Sequence, residues 1–151
     1  MSELTFKRMG AAALMDEPGY DEVVDSYYAE CANQAMGPAN PDREMYRLYD
    51  NAGISHAVGV FDGERLVGGL IVLVNTMAHF SRKGAVIESL FLSPEYRRTG
   101  AGLKLYNEAK HIAKDCGAPG VYVSAPTGSR LERMMRLKGV KQTNSVFFES
   151  V

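Results

Sequence analysis

The chain has 151 residues, 46% hydrophobic and 23% charged, with a net charge of −1. These values fit one globular domain over residues 1–151, long enough to bury a core without staples. They exclude a global attraction to nucleic acid or anionic membrane, and no apolar run reaches the ~18 residues that cross a bilayer. Residues 4–9 alternate weakly and are a candidate first strand. Asp21 is the expected N-cap of a helix over residues 22–34, where Val23, Val24, Tyr27, Tyr28 and Cys31 recur at helical spacing. A second helix is predicted with Asn40 as cap and Pro41 at its first position, ending near Gly53. Residues 56–61 and 65–75 read as strands joined at Asp62-Gly63, a hairpin signal. The second of them, LVGGLIVLV, is apolar on both faces and belongs at the centre of a sheet.

A polar loop over residues 78–84 leads to a strand over 85–92, which Pro94 stops. A helix over 103–116 carries Leu105, Ala109, Ile112 and Ala113 on one face. Residues 121–125 (VYVSA) read as a short buried strand, and Ser129 with Glu132 makes a capping box opening a helix to about Lys138. Residues 142–151 offer a last strand or hairpin arm. The expected order, β-α-α-β-β-β-α-β-α-β, means a mixed sheet with helices on both faces. The N-terminal MSELTFKRMG has no signal-peptide core, so a cytoplasmic protein with Cys31 and Cys116 as reduced thiols is expected. His56, His79 and His111 form no metal-binding pattern, so no metal is expected.

The run Ser93-Pro94-Glu95-Tyr96-Arg97-Arg98-Thr99-Gly100-Ala101-Gly102 sits where strand becomes helix. Such a junction offers free backbone N–H groups and the positive end of a helix dipole to an anion. Glycine lets that anion approach the backbone with no Cβ in the way, and a pyrophosphate fits. No Gly-Lys-Ser/Thr follows, which argues against a nucleotide-binding P-loop.

The segment LFLSPEYRRTGAGLKLYNEA resembles the acyl-CoA signature of the GNAT N-acetyltransferase superfamily, an Arg/Gln-x-x-Gly-x-Gly/Ala turn matched here by Arg97, Gly100 and Gly102. The resemblance extends over residues 56–140. It implies an α/β (α+β) fold with a mixed, mostly antiparallel central sheet of six to seven strands, about four flanking helices, and a splay between the fourth and fifth strands. It implies acetyl-CoA as co-substrate, its pyrophosphate on the turn formed by Arg97, Arg98, Thr99, Gly100, Ala101 and Gly102. The pantetheine arm would lie along Leu90, Phe91 and Leu92, one of whose N–H groups would polarise the thioester carbonyl. The implied activity is transfer of the acetyl group to a primary amine by direct attack on the thioester. The alternative is a catalytically impaired acyl-CoA-binding module.

Transfer to an amine near neutrality requires removing a proton from an ammonium, which costs about 4–5 kcal/mol for a lysine-like group. Glu88 is the only acid in the strand AVIESLFL and is the leading candidate base. Burial in that strand would suit it to work near neutrality. His79 is a second candidate. Many members of the resembled family carry a tyrosine in the last helix that protonates the departing thiolate. Met135 stands at that place here, and Gly128 where an asparagine is usual. Tyr106 and Tyr122 are read as core residues rather than replacements. The acceptor region is expected near Tyr27, Tyr28, Glu30, Tyr46 and Tyr49. The acceptor's identity is open, and so is a homodimer: Val146, Phe147 and Phe148 could pair across a two-fold axis or complete their own sheet.

Overall fold

The computed structural model of the protein describes residues 3–31 and 33–151. Five strands form one sheet in the order β1-β2-β3-β4-β5: Thr5–Met9, Ser55–Asp62, Arg65–Met77, Arg82–Leu92 and Val121–Val123. The first four run antiparallel as a meander, and β5 joins β4 in parallel after a helical crossover. The helices are α1 (Ala11–Leu14), α2 (Tyr20–Cys31), α3 (Arg43–Asn51), α4 (Ala101–Asp115) and α5 (Arg130–Leu137).

The central position of β3 follows from its two apolar faces. Leu70, Val72 and Val74 enter one core, which also takes Leu105, Ala109 and Ile112 of α4 and Met135 of α5. Leu66 and Ile71 enter a second core with Ala11 and Leu14 of α1, Val23 of α2 and Phe91 of β4. The sheet is therefore covered on both sides, α4 and α5 on one and α1 and α2 on the other.

Several expectations change. The sheet has five strands, not six or seven, because residues 142–151 join no ladder and are exposed throughout. Among the described residues there are five α-helices rather than about four; α1 was not anticipated. Asp42, not Asn40, caps α3, its carboxylate accepting from the Met45 N–H at 3.0 Å. The expected helix over 22–34 ends as α2 at Cys31, with a 3-10 turn at Gln34–Met36; Ala32 lies outside the described residues. The loop before β4 shrinks to residues 78–81, where Ser81 takes a φ of 50° to close the hairpin. Finally, β5 is three residues long and half open, with Tyr122 at 48% exposure, so only Tyr106 of the two tyrosines is core.

Candidate active site

The parallel pairing of β4 with β5 covers only Ala85, Val86 and Ile87. Beyond Ile87, β4 keeps its partner β3 on one side and, among the described residues, has no strand on the other. The Ser93 N–H donates to Val67 O across β3 at 2.8 Å. By the alternation of an antiparallel ladder, Phe91 also turns its backbone groups to β3, while Leu90 and Leu92 turn theirs to the free edge. Of the three predicted residues, two thus present peptide groups there. The third, Phe91, is buried in the second core, its ring edge-on to Tyr27 with centroids 5.8 Å apart.

This edge leads into the glycine turn. A 3-10 turn at Pro94–Tyr96 is followed by Gly100, the N-cap of α4, at φ 83°. That left-handed conformation calls for glycine. Gly102 has no such requirement, and beyond its chain neighbours and its own helix backbone no atom lies within 4 Å of where its Cβ would stand. Neither backbone conformation nor packing therefore requires a glycine at 102. The first-turn amides of α4 have no partner within the helix. One of them, Ala101 N–H, meets Thr99 Oγ1 at 3.3 Å, and that hydroxyl donates to Tyr96 O at 2.7 Å. An open cavity of about 320 Å³ lies between the turn and the start of the chain, lined by Tyr96, Thr99, Gly100, Ala101 and Lys104 on one side and by Glu3, Leu4 and Phe6 on the other.

Side chains anchor this turn to the rest of the fold. Tyr96 donates to Asp62 at the end of β2 at 2.8 Å. Arg97 donates from Nε to Leu92 O at 2.7 Å and from Nη2 to Glu30 of α2 at 2.8 Å, and its guanidinium lies over the Phe91 ring. Its side chain is only 17% exposed, so it acts as a strut between β4, the turn and α2. Arg98 is exposed on the turn's surface.

Glu88 stands at a break in register. Ile71 faces Ser89 and Val72 faces Ile87, which leaves Glu88 as the extra residue of a bulge in β4. The bulge re-aims its side chain toward α3, where Tyr46 donates to Glu88 Oε2 at 2.7 Å. Glu88 is exposed rather than buried, so the burial expected for it is not met. Around it, burial pushes the Tyr20 hydroxyl up to about 12, helped by Asp21 and Glu88. Burial also raises Tyr46, reinforced by its hydrogen bond to Glu88, and raises Tyr27, helped by Cys31 and Glu88. All three tyrosines stay protonated near neutrality, so Tyr46 remains a donor.

The structure thus gathers Glu88, Tyr27, Tyr46 and the free edge of β4, with Glu30 joined to the turn through Arg97. It does not gather His79, which sits in the hairpin loop before β4. Arg82 is already six residues from Glu88, about 20 Å along a strand. Met135 is 8% exposed in the main core and has no proton to give. Among the described residues no group of three or more His, Cys, Asp or Glu side chains is placed to hold a metal ion. Sequence reasoning missed the Tyr46–Glu88 pair and the strut role of Arg97. Their partners lie 42 and 67 residues away, and no local pattern marks them.

The model of the acetyltransferase (GNAT) family matches residues 20–136. No curated protein sequence matches the chain significantly. Among solved structures, an aminoglycoside acetyltransferase from an uncultured soil metagenomic sample is similar at 18% identity and a TM-score of 0.76, over 99% of both chains. A ribosomal-protein-alanine N-acetyltransferase from Brucella melitensis biovar Abortus 2308 is similar at 14% identity and TM-score 0.74, over 99% of this chain and 100% of that one. A glucosamine-6-phosphate N-acetyltransferase from Arabidopsis thaliana is similar at 11% identity and TM-score 0.69, over 99% of both.

Proposed function

The chain belongs to the GNAT acetyltransferase family, and from that premise we propose that it transfers an acetyl group from acetyl-CoA to a primary amine. The observation that carries this is the free edge of β4 beyond Ile87, which runs without interruption into a glycine turn open to a ligand. Acetyl-CoA, when bound, supplies an acetyl group activated as a thioester. The residues present fit it. In the turn of Arg97, Arg98, Thr99, Gly100, Ala101 and Gly102, the Arg97 and Thr99 amides donate to Pro94 O and Tyr96 O and the Ala101 amide to Thr99 Oγ1, so the amides of Arg98, Gly100 and Gly102 would hold the pyrophosphate. The outward peptide groups of Leu90 and the outward N–H of Leu92, whose carbonyl already accepts from Arg97, would receive the amide-bearing arm as an added strand, and one outward N–H would polarise a carbonyl laid beside it.

Glu88 takes the proton from the acceptor's ammonium, directly or through one water, and the freed amine is the nucleophile. Tyr46, donating to the far oxygen of the same carboxylate, fixes its direction. Tyr20, Tyr27 and Tyr46 form aromatic walls on that side of the sheet, suited to a cationic amine. The helix that would bring a proton donor to the leaving thiolate brings Met135, so that proton comes from water or another group, or the thiolate leaves unprotonated.

The burial of Met135 also favours a second reading, a domain that binds acyl-CoA without turnover. Calorimetric titration with acetyl-CoA tests what the two share: no binding at millimolar concentration removes both. Release of free CoA separates them, measured over an amine panel that includes an aminoglycoside, an N-terminal alanine peptide and an amino sugar phosphate. Release that depends on an acceptor supports the transferase. Binding with no release across primary amines of varied size leaves the binding module.

A further inference from the structure

Helix α2 has little apolar anchorage of its own. Of its twelve residues only Val23, in the first turn, is buried. Its start is fixed to β3, where the Leu66 N–H donates to Pro18 O at 2.8 Å. Its last two turns hold no buried residue, and two side chains tie them to β4 and the glycine turn. Tyr27 stands edge-on to Phe91 of β4, and Glu30 accepts from Arg97 Nη2 at 2.8 Å. Tyr27 and Glu30 are three residues apart, so they share one face of the helix.

Glu30 is in a poor place for a carboxylate. It stands in the last turn, at the negative end of the helix dipole, and that turn holds no basic residue. The compensating cation comes from another element. Arg97 is engaged on three sides: Nε donates to Leu92 O, Nη2 donates to Glu30, and the guanidinium lies 5.0 Å from the Phe91 ring centroid. Arg97, Phe91, Tyr27 and Glu30 thus form a closed ring of contacts at the end of β4. A guanidinium held this way turns its charge to α2 rather than to a phosphate, and Arg98 beside it is the exposed one.

This ring joins the two halves of the site. Arg97 begins the turn whose Arg98, Gly100 and Gly102 amides would hold a pyrophosphate, while α2 carries Tyr20 and Tyr27, walls of the acceptor space beside Glu88. A pyrophosphate needs those amides presented together, which fixes the backbone from which Arg97 reaches Glu30. Resting on the acetyl-CoA reading of the turn, we propose that Arg97 and Glu30 are positioning residues for the acceptor. Their ion pair seats the last two turns of α2 against β4, and acetyl-CoA on the turn tightens that seat. The amine then meets a wall already in order, and its binding does not have to order it.

Amide exchange of the full chain, with and without millimolar acetyl-CoA, tests this. In the unaltered chain acetyl-CoA should slow exchange at the turn, residues 98–104, and at residues 25–31 of α2, the latter at least ~5-fold. In Glu30→Ala the turn should stay protected and the added protection of α2 should vanish. Alanine is the better helix former and takes a negative charge off the wrong end of the dipole, so the loss cannot come from a weaker helix. A merely structural contact would change α2 exchange by the same factor with and without acetyl-CoA. Release of CoA gives a second readout, taken with the amine of the panel above that the unaltered chain acetylates fastest. Glu30→Ala should raise the KM of that amine about 10-fold and leave kcat within ~2-fold, since Glu88 and Tyr46 are untouched. If acetyl-CoA protects neither the turn nor α2 in the unaltered chain, the acetyl-CoA reading itself fails. Protection of the turn alone, α2 protection that persists in Glu30→Ala, or an unchanged KM overturns the positioning role.

Discussion

Glu88 owes its place to one extra residue. Without the bulge between Ile87 and Ser89, strict alternation would set the direction of its side chain; with it, the carboxylate reaches Tyr46 on α3. Glu88→Gln should lower kcat by about 10²-fold at neutral pH, within the usual contribution of a general base. Turnover should partly recover as the pH rises and the acceptor loses its proton unaided, with acetyl-CoA affinity unchanged by calorimetry. Tyr46→Phe should lower kcat by about 10-fold, or roughly 1.4 kcal/mol, through a less well-held carboxylate, again without changing acetyl-CoA affinity. An unaltered kcat in Glu88→Gln would remove the base from the mechanism. The turn offers a cleaner probe at Gly102 than at Gly100, whose positive φ makes any side chain a folding problem. A Cβ at 102 meets nothing beyond its own helix backbone, and Gly102→Val improves helix propensity, so thermal stability should hold. Its acetyl-CoA affinity should fall at least ~10-fold, and unchanged affinity would place the phosphates elsewhere.

Helix α1 shows how an element can depend on a residue far from it. Four residues are too few to form a helix on their own propensity. Asp50, near the end of α3, holds it: Ala11 and Ala12 N–H donate to the two carboxylate oxygens at 2.9 Å each, and the Ser55 hydroxyl donates to one of them. A Cβ on Gly10 would lie 2.8 Å from Asp50 Oδ2, so glycine there is what allows the carboxylate in. Burial alone would push the Asp50 carboxyl up, but the Ser55 hydroxyl and the Ala12 and Ala11 amides outweigh it and hold it below its ordinary value. Its folded value lies below its unfolded one, so it contributes stability present above about pH 4 and lost as the pH falls through the lowered value. Asp50→Ala should cost about 1–2 kcal/mol by urea unfolding at neutral pH and flatten the stability loss in that acid window. An unchanged neutral-pH midpoint would show that α1 needs no cap.

At the scale of the molecule, β3 joins the two cores. Leu70 and Val72 belong to one and Ile71 to the other, and each is at most 5% exposed. Helices on either side therefore lose their seat together, and unfolding should be a single transition by circular dichroism and tyrosine fluorescence. Leu70→Ala should cost about 2–5 kcal/mol and move both signals equally. Separate midpoints would mean that α1 and α2 pack on a core that can open without α4.

How far all this could be read in advance depends on the range of the forces involved. The hairpin at Asp62-Gly63, the apolar β3, the Ser129 cap and the strand-to-helix glycine turn are set by neighbouring residues, and the sequence by itself determined them. It also sufficed for the family, whose model matches residues 20–136. Tertiary structure alone decided the rest. The end of the β4–β5 pairing at Ile87, the bulge under Glu88, the Tyr46 and Arg97 partnerships and the Asp50 cap each join groups distant in the chain. No local periodicity encodes them, because each exists only once the sheet has brought its two halves together. The segment at residues 142–151 is the sharpest case. Its β-favouring pattern is plain in the sequence, but whether a strand forms depends on an edge that the pattern does not contain.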